Sequence, residues 1–217
     1  MKIFKRVLLI ILSLVLLLIL VVGGYVAYVF ASYSRIKDNL VLDVTNAVGA
    51  GDVKTATEYT IVTQNFGFGA YTSDFTFFMD GGKDSRAKNK ESVNECIKNA
   101  YDEISGFSPD FVLMQEVDTN STRSHKINEK AAFDDLFAGY SRVYAVNYRS
   151  AYLMWPLFKP HGKSNSGMST YSKFTVSSAV RRSLPVATGV QKVLDLDRCY
   201  SVATVPCDNG KSLVLIN

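Results

Sequence analysis

An uncharged apolar run opens the chain: Val7 to Phe30 reads VLLIILSLVLLLILVVGGYVAYVF and offers no polar face at any helical phase. As a helix rising about 1.5 Å per residue it would span roughly 36 Å, enough to cross a bilayer with some tilt. Lys2, Lys5 and Arg6 precede it, which favours a cytoplasmic N-terminus and an exported remainder, and Tyr25, Tyr28 and Tyr33 stand where an interfacial aromatic belt belongs. A cleaved signal peptide is the competing reading, with Val29 and Ala31 as small residues before a cleavage site. The run is far longer than the ~7–15 apolar residues of such a peptide, so a retained single-pass anchor in the cell membrane is favoured. The pattern thus predicts a cytoplasmic tail (1–6), a transmembrane helix (7–30), a stalk and connector with a short strand (31–57) and an extracytoplasmic globular part (58–217).

Beyond the anchor the periodicity alternates between strand and helix. Leu40 to Val44 predicts a short strand, followed by a glycine-containing connector from Ala47 to Val53. Tyr59 to Asn65 is β-rich and ends in the loop Phe66 to Ala70; Asp80 to Asp84 is a second loop. From Ser92 to Ile104, Val93, Ile97, Ala100, Tyr101 and Ile104 share one helical face, and Gly106 ends the helix. Asp110 to Glu116 (DFVLMQE) predicts a short buried strand, Ala131 to Phe137 a helix, and Arg142 to Asn147 a strand. Tyr152 to Ser166 is an aromatic loop holding Trp155, the sole tryptophan. Strands are predicted at Gly167 to Tyr171 and Thr175 to Arg181, then a hairpin of Cys199 to Val205 and Ser212 to Ile216. Asn209-Gly210 suits the positive φ angles of a two-residue turn. A helix followed by a buried strand implies helices layered over a sheet, an α+β arrangement.

Charge adds a topology signal. The chain has 24 basic and 20 acidic residues; setting aside Lys2, Lys5 and Arg6 leaves 21 against 20. A near-neutral exported part gives no support for tight nucleic-acid binding, which relies on many Lys/Arg–phosphate contacts, although nucleic acid stays among the possible partners. Three cysteines without metal-like spacing argue against a disulfide framework or a zinc site. Cys96 falls on the apolar helix face as a buried thiol, and pairing of Cys199 with Cys207 stays open for an oxidising compartment.

The candidate chemistry lies in three separated pieces. Thr63-Gln64-Asn65-Phe66-Gly67 puts an amide at the end of an early strand. Asp110 to Asp118 (DFVLMQEVD) is an apolar strand ending in carboxylates. Gly167 to Phe174 (GMSTYSKF) is followed by a hairpin ending in Leu213-Val214-Leu215-Ile216-Asn217. A carboxylate at a strand end after an apolar run sits at a sheet rim, where a hard cation can reach it. Mg²⁺ prefers oxygen ligands and keeps several waters, so one or two protein carboxylates suffice.

In order and combination, TQNFGFG, SPDFVLMQEVD, SGMSTYSKF and SLVLIN resemble the endonuclease/exonuclease/phosphatase superfamily, over about Glu58 to the C-terminus. The resemblance implies a deoxyribonuclease-I-like fold: an α+β sandwich of two β-sheets flanked by helices, here its N-terminal portion. It implies a hydrolase of phosphodiesters or phosphomonoesters that uses Mg²⁺ (or Mn²⁺), with a nucleic acid, a phospholipid head group or a small phosphate ester as substrate. Position by position, Asn65 matches the family's early Asn, Glu116 its metal-binding Glu, and Asn217 the Asn just before its catalytic His. Gln64 departs from the Trp or Tyr of many relatives. The family's later His, Asp-x-Asn and Asp-His groups have no counterpart up to Asn217, so the expectation is an incomplete catalytic site, an inactive chain and poor stability of a half-sandwich with open strand edges. His125 and His161 are expected at the surface or in a substrate loop and not as general base. Arg123 and Lys163 are candidates for contact with an anionic substrate, against solvated-loop alternatives. The rival reading is a non-catalytic, membrane-anchored binding ectodomain on the same scaffold.

Overall fold

The computed structural model describes residues 2–185, 189 and 196–217, in two separate units. The first, up to Ser34, is the helix α1 (Lys2–Ala31), long and apolar enough to cross a membrane.

The second unit, Arg35–Asn217, holds two sheets. Its start lies earlier than position 58, because the predicted stalk contributes to both sheets. Leu40 to Val44 is two strands rather than one. β1 (Leu40–Val41) pairs with β7 (Ser178–Ser183), and β2 (Val44–Thr45) with β5 (Ser141–Arg149). Between them Leu42 is buried where the chain crosses from one sheet to the other. The four-stranded sheet runs β1-β7-β8-β9, with β8 at Cys199–Pro206 and β9 at Ser212–Ile216. The five-stranded sheet runs β2-β5-β6-β4-β3, with β3 at Ile61–Asn65, β4 at Phe111–Asp118 and β6 at Asn165–Ser172.

Two apolar layers hold this unit together. One lies between the sheets and includes Leu42, Phe111, Val143, Met168, Ala179, Val205 and Leu215. The other packs the outer face of the five-stranded sheet against α2 (Lys90–Gly106) and α3 (Glu129–Leu136). In α2 the face Val93, Ile97, Ala100 and Ile104 is buried, and the Asn89 side chain caps the first turn by accepting from the Ser92 amide at 2.7 Å. Buried on both faces, β4 needs the continuous Phe111-Val112-Leu113-Met114 run that its sequence carries.

The β8–β9 hairpin closes through a longer loop: of the Asn-Gly pair only Gly210 has positive φ (+75°), and the Cys207 amide donates to the Lys211 carbonyl. Cys199 begins β8 and Cys207 follows its end, so at ~3.3 Å per residue they lie about 25 Å apart, far beyond disulfide reach. All three thiols are free.

Candidate functional site

The site grows from the parallel pair β3–β4. Their register sets Asn65 opposite Gln115 at the same end of the sheet. On the other flank of β4, Met114 pairs with Ser169 and Val117 with Gly167, so Gln115 and Glu116 form a bulge in the ladder. Glu116 has φ +56°, an uncommon conformation for a side-chain-bearing residue. Bulges re-aim a side chain, and this one turns the Glu116 carboxylate toward β3, where Asn65 Nδ2 donates to Oε1 at 3.0 Å. The Asn65 amide is itself fixed, since its Oδ1 accepts from the Gly67 amide at 2.9 Å. Gly67 must be glycine: φ is +59°, and a Cβ would stand 2.4 Å from the Tyr71 ring.

Above Glu116 opens a cleft of ≈ 500 Å³ whose walls include Asn65, Gln115, Tyr71, Asp80, Arg123, Tyr148, His161, Ser166 and Arg198. Arg123 is buried in one wall. Its Nε and Nη2 donate to the two Asp118 oxygens at 3.0 and 2.8 Å, and its guanidinium lies 4.0 Å over the Phe68 ring centroid. Burial works against this charge, but the Asp118 carboxylate, with Glu116 and Glu129 adding to it, outweighs burial and holds the guanidinium pKa above its ordinary value. Behind the pair, buried Glu129 accepts the Asp118 amide at 2.7 Å, and its other oxygen has no partner. Burial, then the Asp118 charge, raise the Glu129 pKa well above the usual carboxylate range.

The structure thus brings Asn65 and Glu116 together and sets Arg123 in the same cleft, though as an ion-paired wall and not in a solvated loop. It does not bring Asn217 there. The Asn217 amide bridges the two sheets behind Gln115, donating to the Met114 and Ser169 carbonyls and accepting from Gln115 Nε2 at 2.6 Å. Lys163 is exposed and does not line the cleft; its backbone is tied to Thr122. His125 Nε2 contacts the Ala87 carbonyl at 2.7 Å, outside the cleft. His161, expected at the surface or in a substrate loop, is buried in the cleft wall: Nδ1 contacts the Ser85 carbonyl at 2.9 Å and Nε2 the Ser164 hydroxyl at 3.2 Å. Gln115 and the Asp118–Glu129 pair escaped sequence reading. Asp118 stood in the QEVD motif, but nothing in the spacing announced Arg123 and Glu129 as its partners.

The buried ionisable groups make opposite contributions to pH-dependent stability. Burial lowers the His161 pKa to about 4, so its unfolded form binds more protons between about pH 4 and 6.5. Stability from His161 is full above that window and lost as pH falls through it, by on the order of 3 kcal/mol. Glu129 has a raised folded pKa, so its contribution is full below about pH 4.5 and lost as pH rises above it. Glu129→Gln keeps an oxygen acceptor for the Asp118 amide. It is expected to flatten the alkaline side of a stability–pH curve measured by chemical unfolding, while leaving the acid-side loss in place.

Among the described residues no group of three or more His, Cys, Asp or Glu side chains gathers as a metal cluster. The donor set still suits a hard cation that keeps most of its waters, since Glu116 offers a second carboxylate oxygen at the cleft and Asn65 fixes the first. The profile of the endonuclease/exonuclease/phosphatase family matches residues 63–209. Among solved structures, the crystal structure of an endonuclease/exonuclease/phosphatase from Beutenbergia cavernae DSM 12333 is similar at 18% identity, with a TM-score of 0.48. That likeness covers 71% of this chain and 36% of the other, so this chain spans about a third of its length. No curated protein matches the chain.

Proposed function

The chain belongs to the endonuclease/exonuclease/phosphatase family, and from that premise we propose that its folded unit is the metal-holding part of a divalent-metal phosphoesterase. The observation that carries this reading is the bulge at Glu116. A left-handed, non-glycine residue in a strand is kept only where its surroundings enforce it, and here they deliver a carboxylate to the cleft against an oriented amide.

Glu116 would hold Mg²⁺ or Mn²⁺. The bound cation supplies stabilisation of charge on the phosphoryl oxygens of a phosphodiester or phosphomonoester. Asn65 keeps the carboxylate aimed, so that metal affinity does not depend on a freely rotating side chain. Arg123, clamped by Asp118, lends fixed positive potential to the wall facing an anionic ester. Neither imidazole is placed as a base: His161 is spent on Ser85 and Ser164, and His125 on Ala87. The chain by itself is therefore proposed to bind the metal but to hydrolyse esters poorly. The α1 helix is proposed as a membrane anchor with the folded unit outside the cytoplasm.

The test is Mn²⁺ titration of the detergent-solubilised full chain, followed by electron paramagnetic resonance. Glu116→Gln is expected to weaken binding by more than tenfold and Asn65→Ala by about tenfold. Wild-type affinity in Glu116→Gln would remove the basis of the assignment. Hydrolysis of bis(p-nitrophenyl) phosphate that needs both Mg²⁺ and Glu116 would instead overturn only the expectation of poor turnover.

A further inference from the structure

The segment joining β5 to β6 puts its large apolar side chains outward. Met154 is 50% exposed, Trp155 62%, Leu157 70% and Phe158 103%. This is not a loose loop. Leu153 and Gly162 pair through two backbone hydrogen bonds, and the His161 amide donates to the Trp155 carbonyl at 3.0 Å. Across the gap, the Ser85 hydroxyl donates to the Lys159 carbonyl and Arg86 Nε to the Pro160 carbonyl. Gly162, with φ +78°, lets the backbone lie against Thr122, where a Cβ would come within 2.4 Å. A braced loop with four large apolar groups in water calls for a covering surface.

Chemistry selects that surface. At the base of the loop, Arg86, Lys88 and Lys159 share a shallow hollow of ≈ 120 Å³ with Asp74 and Asp84; Lys88 pairs with Asp74 at 3.5 Å, and three cations against two carboxylates leave one excess positive charge beside the apolar tip. Tryptophan, phenylalanine and leucine bordered by cations is the composition that enters the headgroup–acyl boundary of anionic bilayers. An N-terminal helix able to span a membrane supplies such a bilayer by covalent connection. The loop also adjoins the candidate cleft, since His161 lines that cleft and its ring lies 5.7 Å from Phe78 and 5.9 Å from Phe77.

We propose that the 152–159 loop is a bilayer-docking element: Trp155, Leu157 and Phe158 insert at the interface while Arg86, Lys88 and Lys159 meet anionic headgroups. The proposal rests on the membrane reading of α1 and is independent of metal binding or hydrolysis.

Trp155 is the chain's sole tryptophan, so its fluorescence reports on this loop alone. The full chain is reconstituted into vesicles of phosphatidylcholine with phosphatidylglycerol, with or without phosphatidylcholine brominated at acyl positions 6 and 7. Emission is expected to shift to shorter wavelength and to be roughly halved by the brominated lipid, with protection from aqueous iodide. Phe158→Ser and Leu157→Ser change solvent-exposed positions, and together they are expected to abolish most of that quenching. Trp155 fully open to iodide and blind to bromine overturns the proposal, and so does failure of the chain to enter vesicles. Protection from iodide without bromine quenching also overturns it, because a second copy or another protein would then cover the loop.

Discussion

Asp118→Ala is expected to lower the stability of the folded unit by about 3–5 kcal/mol, the range for removing one partner of a buried ion pair. The loss comes mostly from what is left behind. Arg123 keeps its charge, loses both hydrogen bonds to Asp118 and, packed on Phe68 with only 6% of its surface exposed at the cleft wall, gains little water in exchange. Ser124 loses the shorter of its two hydrogen bonds and keeps the one to the Ser121 carbonyl at 3.4 Å. Glu116 and Glu129 offset part of this by their charge, but Glu129 is itself held toward its neutral form. Removing both charges should differ from removing one, so Asp118→Ala combined with Arg123→Met is expected to recover most of the stability. Chemical unfolding of the two variants, compared by midpoint at constant slope, decides the matter. A single-variant loss below about 1 kcal/mol would mean that the guanidinium finds solvent in the cleft, and that Arg123 is not the fixed wall described above.

The contrast between Glu116 and Arg123 marks where sequence reading succeeded and where it stopped. Glu116 was legible because its cause is local: an apolar run must be a buried strand, and the polar residue after it must come to the sheet rim. Asn65 followed in the same way from β3. The α2 face was legible too, since Val93, Ile97, Ala100 and Ile104 repeat at helical spacing. Leu40 to Val44 failed because the switch from one sheet to the other at Leu42 depends on β7 and β5, more than ninety positions away. Arg123 read as a loop residue because its neighbours are polar; its burial is set by Phe68 and Asp118, which only the fold brings to it. Asn217 misled for a similar reason: it ends a segment whose pattern suggested access to the cleft, and its amide is spent on backbone carbonyls from distant strands. His161 lines the cleft, but its burial against the Ser85 carbonyl is again set by the fold. The bulge itself was invisible, since no residue in Met114-Gln115-Glu116-Val117 demands a left-handed angle.

Gly167 offers a second large effect, and one that links packing to the site. It pairs with Val117 on β4 and Val146 on β5, beside the register shifts of both neighbours. Its missing side chain makes room for Tyr144: a Cβ at 167 would stand 2.4 Å from the Ala145 carbonyl oxygen, 2.6 Å from Tyr144 Cζ and 2.7 Å from its hydroxyl. Backbone oxygen at that distance cannot yield without moving the strand. The Tyr144 hydroxyl, in turn, donates to the Val117 carbonyl at 2.9 Å, directly after the Glu116 bulge. Gly167→Ala is therefore expected to cost about 3 kcal/mol, the upper end of ordinary overpacking, because the clash involves main chain as well as a ring. Tyr144→Phe removes only the hydroxyl and its hydrogen bond, and is expected to cost about 1 kcal/mol. If the bulge is held through Tyr144, Gly167→Ala should also weaken Mn²⁺ binding in protein that remains folded, and Tyr144→Ala in the same chain should restore part of the lost stability but none of the affinity. Unchanged metal affinity in folded Gly167→Ala would separate the packing of β5 and β6 from the aim of Glu116, and the bulge would then owe its shape to β3 and Asn65 alone.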